Sequence, residues 1–524
     1  MHPVETILLL LGLTTLLAVA AKKVNLPWPI FLVLGGMGLA FVPGLPAVSL
    51  DPQLVFILFL PPILYAAAYF TSWRDFRDNL LSISLLAVGL VAATTAAVAA
   101  AFHALVPELG WPAAFVLGAI VSPPDAVAAT AIAKRLGLPR RIVTILEGES
   151  LVNDATGLVL LKFATAAVVT GTFQARTAAL DFVLLAAGGV AVGLLVGWLF
   201  ARVERLLDDS VLAATGSVLV SFATYLLAER LHVSGVLAVV TAGLVQGRVV
   251  PRLWAARVRL EATAVWDTVI FVLNALVFVL IGLQLPSVVK ALGVWPRTAV
   301  VDAVFAVVGA TIFVRLAWMF PGAYLPRLLF PAYRKKSPTP PWQWITVTGW
   351  AGMRGVVSLA AALALPLSTA TGAPFPGRDL IVFTTFAVIL ATLVLQGLTL
   401  GPFIKWLALG RDRTAVDEER HARKLLAEAG LSRVDTIAEE HVLGAHQFHG
   451  VRQEFVDRLR ALVKADPEEP LPASTPAVVS RLRRESLVAQ REKLLELRGS
   501  EVIGDDVFHR LQHELDLEEM RAGR

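Results

Sequence analysis

Apolar windows recur from residue 6 to residue 409, each about long enough to cross a bilayer as a helix and each closed by a short polar break. Repetition on that scale leaves few folds open, because inside lipid every backbone N–H and C=O must be bonded within the chain. Helices satisfy the requirement locally. The windows fall at 6–21, 29–46, 53–70, 80–105, 111–133, 142–170, 180–201, 211–229, 234–247, 265–286, 299–321, 343–370 and 380–409. They predict an all-α membrane protein with about 13 transmembrane helices. Charged residues are only 17% of the chain, against about 25% in soluble proteins, so most of it must lie in lipid. With no cysteine, disulfide frameworks, thiolate metal sites and cysteine nucleophiles are excluded. The first window is followed, not preceded, by Lys22 and Lys23, so it reads as a retained span and not as a signal peptide.

The basic residues sort by side. Alternate breaks hold Lys22, Lys23, Arg74, Arg77, Lys134, Arg135, Arg140, Arg141, Arg202, Arg205, Arg248, Arg252, Arg257, Arg259, Arg327, Arg334, Lys335 and Lys336, 18 in all. The opposite breaks hold five: Arg176, Arg230, Lys290, Arg297 and Arg378. The positive-inside rule then puts the first set and the C-terminus in the cytoplasm and the N-terminus outside. A net charge of +5 spread over loops in this way gives no reason to expect a nucleic-acid partner. After the transmembrane domain, 1–409, composition shifts to a polar segment, 410–524, holding 23 of the 41 acids and 19 of the 46 basic residues. Its mixed-charge apolar spacing predicts a helical cytosolic tail, with a regulatory role. His441, His446 and His449 within it read as solvated helix residues.

Ionisable groups within the windows mark function by default. Away from span ends they are Asp125, Glu149, Asp154, Lys162, Arg315 and Arg354. Asp125 follows Ser122, Pro123 and Pro124; two prolines in succession remove two backbone donors and break the helix in mid-membrane. Asp125 then either ligates an ion or balances the N-terminus of the following half-helix. In LEGESLVNDATG, Glu149, Asn153 and Thr156 lie at helical spacing beside the Ser150–Asp154 ridge, an oxygen-rich stripe suited to alkali cations. Lys162, two turns on, either snorkels or pairs with an acid. In TVTGWAGMRGVVSLA, three glycines surround Arg354, which needs a carboxylate from among Glu149, Asp154 and Asp125. Glu149 is preferred, since that leaves Asp154 free to titrate. Arg315, nearer its span end, is expected to snorkel in a structural role. Gly189, Gly193 and Gly197 form a small-residue stripe that serves packing within the subunit or between subunits, with the first preferred.

At GESLVND, SPPDAVA and GWAGMRGVVSLA the chain resembles the monovalent cation:proton antiporter-1 family, which includes bacterial and animal sodium/proton exchangers. FILFLPPILYAAAYF, VSGVLAVVTAGLVQG and LNALVFVLIGLQL resemble its third, ninth and tenth spans, so the resemblance covers nearly all of residues 1–409. It implies two inverted repeats with crossed broken helices in spans five and twelve. It implies that Asp154 takes either cation or proton, beside Asn153 and Ser150, and that Glu149 and Arg354 form a structural ion pair. The transported ions would be Na+ (or Li+ or K+) and H+, with Na+ at Asp154, no cofactor, and a homodimer in the bacterial plasma membrane. Two departures stand out. ILYAAAYF lacks the acidic residue that many exchangers carry near the position of Tyr65, and the prolines precede Asp125 where the family often has one after it.

With Asn at 153, the free site carries one titrating charge, and one-for-one, electroneutral exchange is expected. An intramembrane aspartyl protease would also use two carboxylates on neighbouring spans, but neither Asp125 nor Asp154 sits in a Gly-x-Gly-Asp setting. A cation channel would conduct without proton coupling.

Overall fold

The computed structural model describes residues 3–24, 27–42, 52–171, 175–205, 209–253, 256–293 and 295–407, with 409, 456 and 457. The tail histidines lie outside the described residues. The chain divides into two units, Met1–Arg411 and Asp412–Arg524, and the first is helical throughout its described secondary structure save one isolated bridge between Ser368 and Pro374.

The N-terminal helices are α1 (Pro3–Val24), α2 (Trp28–Leu39), α3 (Pro52–Leu58) and α4 (Leu60–Phe70). Short α5 (Trp73–Asp78) and α6 (Leu80–Ser84) lead through a π-helical stretch at Leu85–Leu90 into α7 (Val91–Leu105). α8 (Gly110–Val121) and α9 (Ala126–Arg135) are halves of one broken passage, and α10 (Arg140–Thr170) follows. Next come α11 (Ala175–Glu204), α12 (Ser210–Arg230), α13 (Gly235–Leu253), α14 (Ala256–Leu283), α15 (Leu285–Ala291), α16 (Arg297–Leu329) and α17 (Pro331–Lys336). A second broken passage is made of α18 (Trp342–Trp350) and α19 (Val356–Leu363). α20 (Arg378–Ala391) continues through a π-helical stretch at Thr392–Gln396 into α21 (Gly397–Trp406).

Among the described residues, eight helical segments are long and apolar enough to cross a membrane, and Trp28–Leu39, Val55–Phe70 and Gly235–Val249 are shorter apolar helices. Lipid explains their outer faces. On α11, Leu184, Leu195, Trp198 and Leu199 are all more than half exposed, which in water would be a large apolar liability and in a bilayer is the ordinary outer surface. The opposite face of α11 carries the glycine stripe, and it packs within the subunit: a side chain at Gly189 would meet Ser234, just before α13, and one at Gly193 or Gly197 would meet Ala238 or Val245 of α13.

The buried apolar residues form two main clusters. One gathers α2, α7, α8, α14, α19 and α20 around residues such as Val98, Leu117, Phe278, Leu359 and Phe386; the other joins α4, α12 and α13 around Tyr65, Tyr225, Val239 and Trp266. α10 belongs to both, through Ile142 and Leu146 on one side and Leu151 and Ala155 on the other. α10, which carries Glu149, Ser150, Asn153 and Asp154, therefore runs along the seam between two apolar bodies. Loops with the excess of basic residues also meet in space: Arg141 donates to Asn79 Oδ1 at 3.1 Å and to Ser337 Oγ at 2.6 Å, and Arg140 pairs with Asp75 at 3.0 Å.

Candidate ion-binding site

The two breaks touch. Prolines 123 and 124 end α8, and Asp125, in an extended conformation, restarts the helix as N-cap of α9, its Oδ1 accepting from the Val127 amide at 2.8 Å. One Asp125 oxygen thus balances a half-helix N-terminus. Its own amide donates to the carbonyl of Met353 at 2.8 Å, in the unwound stretch between α18 and α19. Gly355 permits this approach, since a Cβ there would collide with the Asp125 carboxylate. Side chains take up further backbone groups of the two breaks. Asn153 Nδ2 donates to the Pro124 carbonyl at 2.7 Å, the Ala126 amide donates to Ser150 Oγ at 3.4 Å, and the Arg354 amide donates to Thr392 Oγ1 at 3.1 Å. Non-helical backbone at membrane depth is tolerable only where such partners exist. Ser122 is fully buried, its hydroxyl turned back to the Ala119 carbonyl at 3.2 Å.

Asp154 lies one α10 turn beyond Ser150 and is 7% exposed. That small exposure faces a cavity of about 420 Å³, whose wall also holds Asp125, Thr130, Ser150 and Asn274. Among the described residues no hydrogen-bond donor or cation pairs with the Asp154 carboxylate. The Asp125 carboxyl group lines the same cavity. The donors converging here are carboxylate, hydroxyl and amide oxygens, the chemistry of hard monovalent ions; among the described residues no cluster of His, Cys, Asp and Glu suits a bound metal.

The ion pair expected between Glu149 and Arg354 is instead made with Arg315. Both Arg315 and Glu149 are 1% exposed, and the guanidinium holds the carboxylate by two bonds, Nη1 to Oε1 at 2.5 Å and Nη2 to Oε2 at 2.8 Å. Arg315 does not snorkel. It comes off the unbroken α16 and passes over Gly352, where any side chain would occupy its path. Arg354, equally buried, sits in the unwound stretch and folds back so that Nη1 donates to the Gly352 carbonyl at 3.1 Å, within electrostatic reach of both Glu149 and Arg315. Lys162 is set apart, beside Glu229 and His232 at a separate cavity of about 260 Å³.

The family model described as "Sodium/hydrogen exchanger, transmembrane" matches residues 7–406. The chain belongs to the sodium/hydrogen exchanger family. As a family member it is an antiporter, a secondary transporter and not an enzyme, set in the membrane by multiple spans. The uncharacterized Na(+)/H(+) exchanger Rv2287 of Mycobacterium tuberculosis is 38% identical over 94% of this chain and 91% of its own length. The sodium, potassium, lithium and rubidium/H(+) antiporter of Bacillus pumilus is 32% identical over 93% of this chain and 74% of its own. Among solved structures, the sodium proton antiporter MjNhaP1 from Methanocaldococcus jannaschii at pH 8 has a like fold, with a TM-score of 0.59 at 20% identity, covering 78% of this chain and 99% of that one.

The exchanger's cavity also exposes residues that intramembrane charge alone did not single out. Asp267, Ile270 and Asn274 of α14 line it together, a one-face spacing that was visible in the sequence. Ala66 and Ala67 line it from α4, while Tyr65 is stacked on Trp266 with ring centroids 5.5 Å apart. Glu204, at the end of α11, is 1% exposed, and among the described residues neither of its carboxylate oxygens has a hydrogen-bond partner.

Proposed function

We propose that Asp154 is the group at which a monovalent cation, Na+ first, and a proton compete, and that only an occupied site changes sides. The observation that carries this is the contrast on one helix: Glu149 is neutralised by Arg315, whereas Asp154 faces the cavity unpartnered. A buried anion is costly unless compensated, so the empty site favours occupancy by either ion, and exclusive occupancy is what couples the two fluxes. Ser150 Oγ and Asp125 are the further oxygen donors. Asn153 positions the broken segment through the Pro124 carbonyl and adds no second carboxylate, which supports one-for-one, electroneutral exchange.

The cavity reaches from Asp154 to the Lys134–Glu147 pair, 2.8 Å apart, beside the basic 134–141 loop. Positive-inside placement of that loop gives a cytoplasm-facing access path, an external N-terminus and a cytoplasmic C-terminus, in a bacterial plasma membrane. The segment 410–524 is proposed as a separate regulatory tail. Two copies form a homodimer, which the mass of the detergent-solubilised particle tests. The name of the Bacillus pumilus relative favours a second reading of selectivity, in which K+, Li+ and Rb+ are also carried.

Proton flux in proteoliposomes, driven in turn by each alkali cation with the potential clamped, tests the proposal. The expected result is cation-driven flux whose rate is independent of potential and is absent in Asp154→Asn. Flux that varies with potential contradicts electroneutrality, and flux retained in D154N removes Asp154 from its role.

A further inference from the structure

Two guanidiniums converge at the end of the bundle that carries the basic loops. Arg327, 4% exposed at the end of α16, donates from Nη2 to Ser337 Oγ at 2.9 Å and from Nε to the Ser337 carbonyl at 3.1 Å. Arg141, on the first turn of α10, donates from Nη2 to the same Ser337 hydroxyl. Both are held by neutral groups only. Asn79 and the Pro338 carbonyl complete the shell of Arg141, and the Ala323 carbonyl that of Arg327. Of the two acids of α5, Asp75 is taken by Arg140 and Asp78 lies beside Arg77, and among the described residues no carboxylate pairs with Arg141 or Arg327. Arg141 lies within electrostatic reach of the like charge of Arg327. α10 begins at this point with Pro139 at its cap and no side-chain acceptor for its first amides, which adds partial positive charge.

Two like charges held around one hydroxyl, one of them almost fully buried, are an unbalanced arrangement that an anion would balance. What lies beneath them indicates which anion. A pocket of about 50 Å³ opens directly below, its wall carrying both arginines and otherwise mostly apolar residues, among them Leu86, Ile145, Met319, Ala323, Trp344 and Ile345. A free phosphate has no use for an apolar slot. A phospholipid has, and Trp344 and Tyr333 are of the type that sits at the headgroup level. We propose that Arg141 and Arg327 bind the phosphate of an anionic phospholipid whose acyl chain enters this pocket. The lipid lies along α18, and Thr348 on the pocket wall is the residue whose carbonyl accepts from Arg315 at 3.3 Å, so occupancy bears on the half-helix that leads into the crossing.

Delipidated full-length protein is titrated with dioleoylphosphatidylglycerol, dioleoylphosphatidylcholine and inorganic phosphate, reading the thermal midpoint and the lipid retained in native mass spectrometry. Phosphatidylglycerol is expected to be retained and to raise the midpoint, with phosphatidylcholine and phosphate doing neither. Arg141→Gln should weaken retention about fivefold, the loss of about one interfacial basic contact. Ile145→Trp, which fills the pocket and keeps both charges, should weaken it as well. Equal retention of phosphatidylcholine, unchanged phosphatidylglycerol binding in both variants, or the same midpoint rise from inorganic phosphate alone each overturns the proposal, the last by making this a site for the free anion.

Discussion

Glu149 and Arg315 are separated by 166 positions and buried to the same degree, and at that depth each is tolerable only because of the other. Arg315→Gln is expected to destabilise the protein by about 3–5 kcal/mol, because it strands a buried carboxylate. A double-mutant cycle on thermal midpoints should give a larger coupling for Glu149 with Arg315 than for Glu149 with Arg354; equal couplings would return Arg354 to the role of partner. The need of Glu149 for an arginine was legible in the sequence, but the choice between two arginines was not. It depends on which way α16 faces α10, and on Arg354 being spent on the Gly352 carbonyl once α18 unwinds. The path left open by Gly352 was written in the sequence, but it acquires meaning only when Arg315 is seen to cross it.

The crossing of α8–α9 with α18–α19 rests on few contacts, chiefly the Asp125 amide on the Met353 carbonyl and the close approach at Gly355. Gly355→Ala is expected to force the two segments apart, lowering stability by about 1–3 kcal/mol as overpacking does and abolishing exchange in proteoliposomes. Gly38→Ala is the matching control, since nothing lies within 4 Å of a Cβ at that helical position; exchange and thermal midpoint should be unchanged. The first break could be read beforehand from consecutive prolines, which act on the backbone locally; the second was implied by the family resemblance, the glycines around Arg354 showing only that the backbone could bend there. Their crossing entered only through the family resemblance; the contact itself, the Asp125 amide on the Met353 carbonyl, depends on how two passages more than 200 positions apart are brought together. The role of Asp125 was half legible: its place before a helix suggested a cap, and the cavity beside Asp154 came only with the fold.

At the scale of the molecule, α10 lies on the seam between two apolar clusters, so relative movement of those bodies would carry the Asp154 surroundings from one access path to another. The proposed competition at one carboxylate predicts how the whole exchanger responds to pH. Protonation removes the anion that the cation needs, so below the pH at which Asp154 takes up its proton the apparent KM for the cation should rise about tenfold per pH unit, with the maximal rate much less affected. A fall in maximal rate at constant KM would point to a regulatory proton elsewhere.

Competition can be observed without transport. Adding NaCl to unbuffered, detergent-solubilised protein poised with Asp154 protonated should release about one proton per chain, detected by a pH-indicator dye. Asp154→Asn should release none, although the protein stays folded. Proton release retained in D154N, or sodium binding to the wild-type protein with no proton release, would contradict the account.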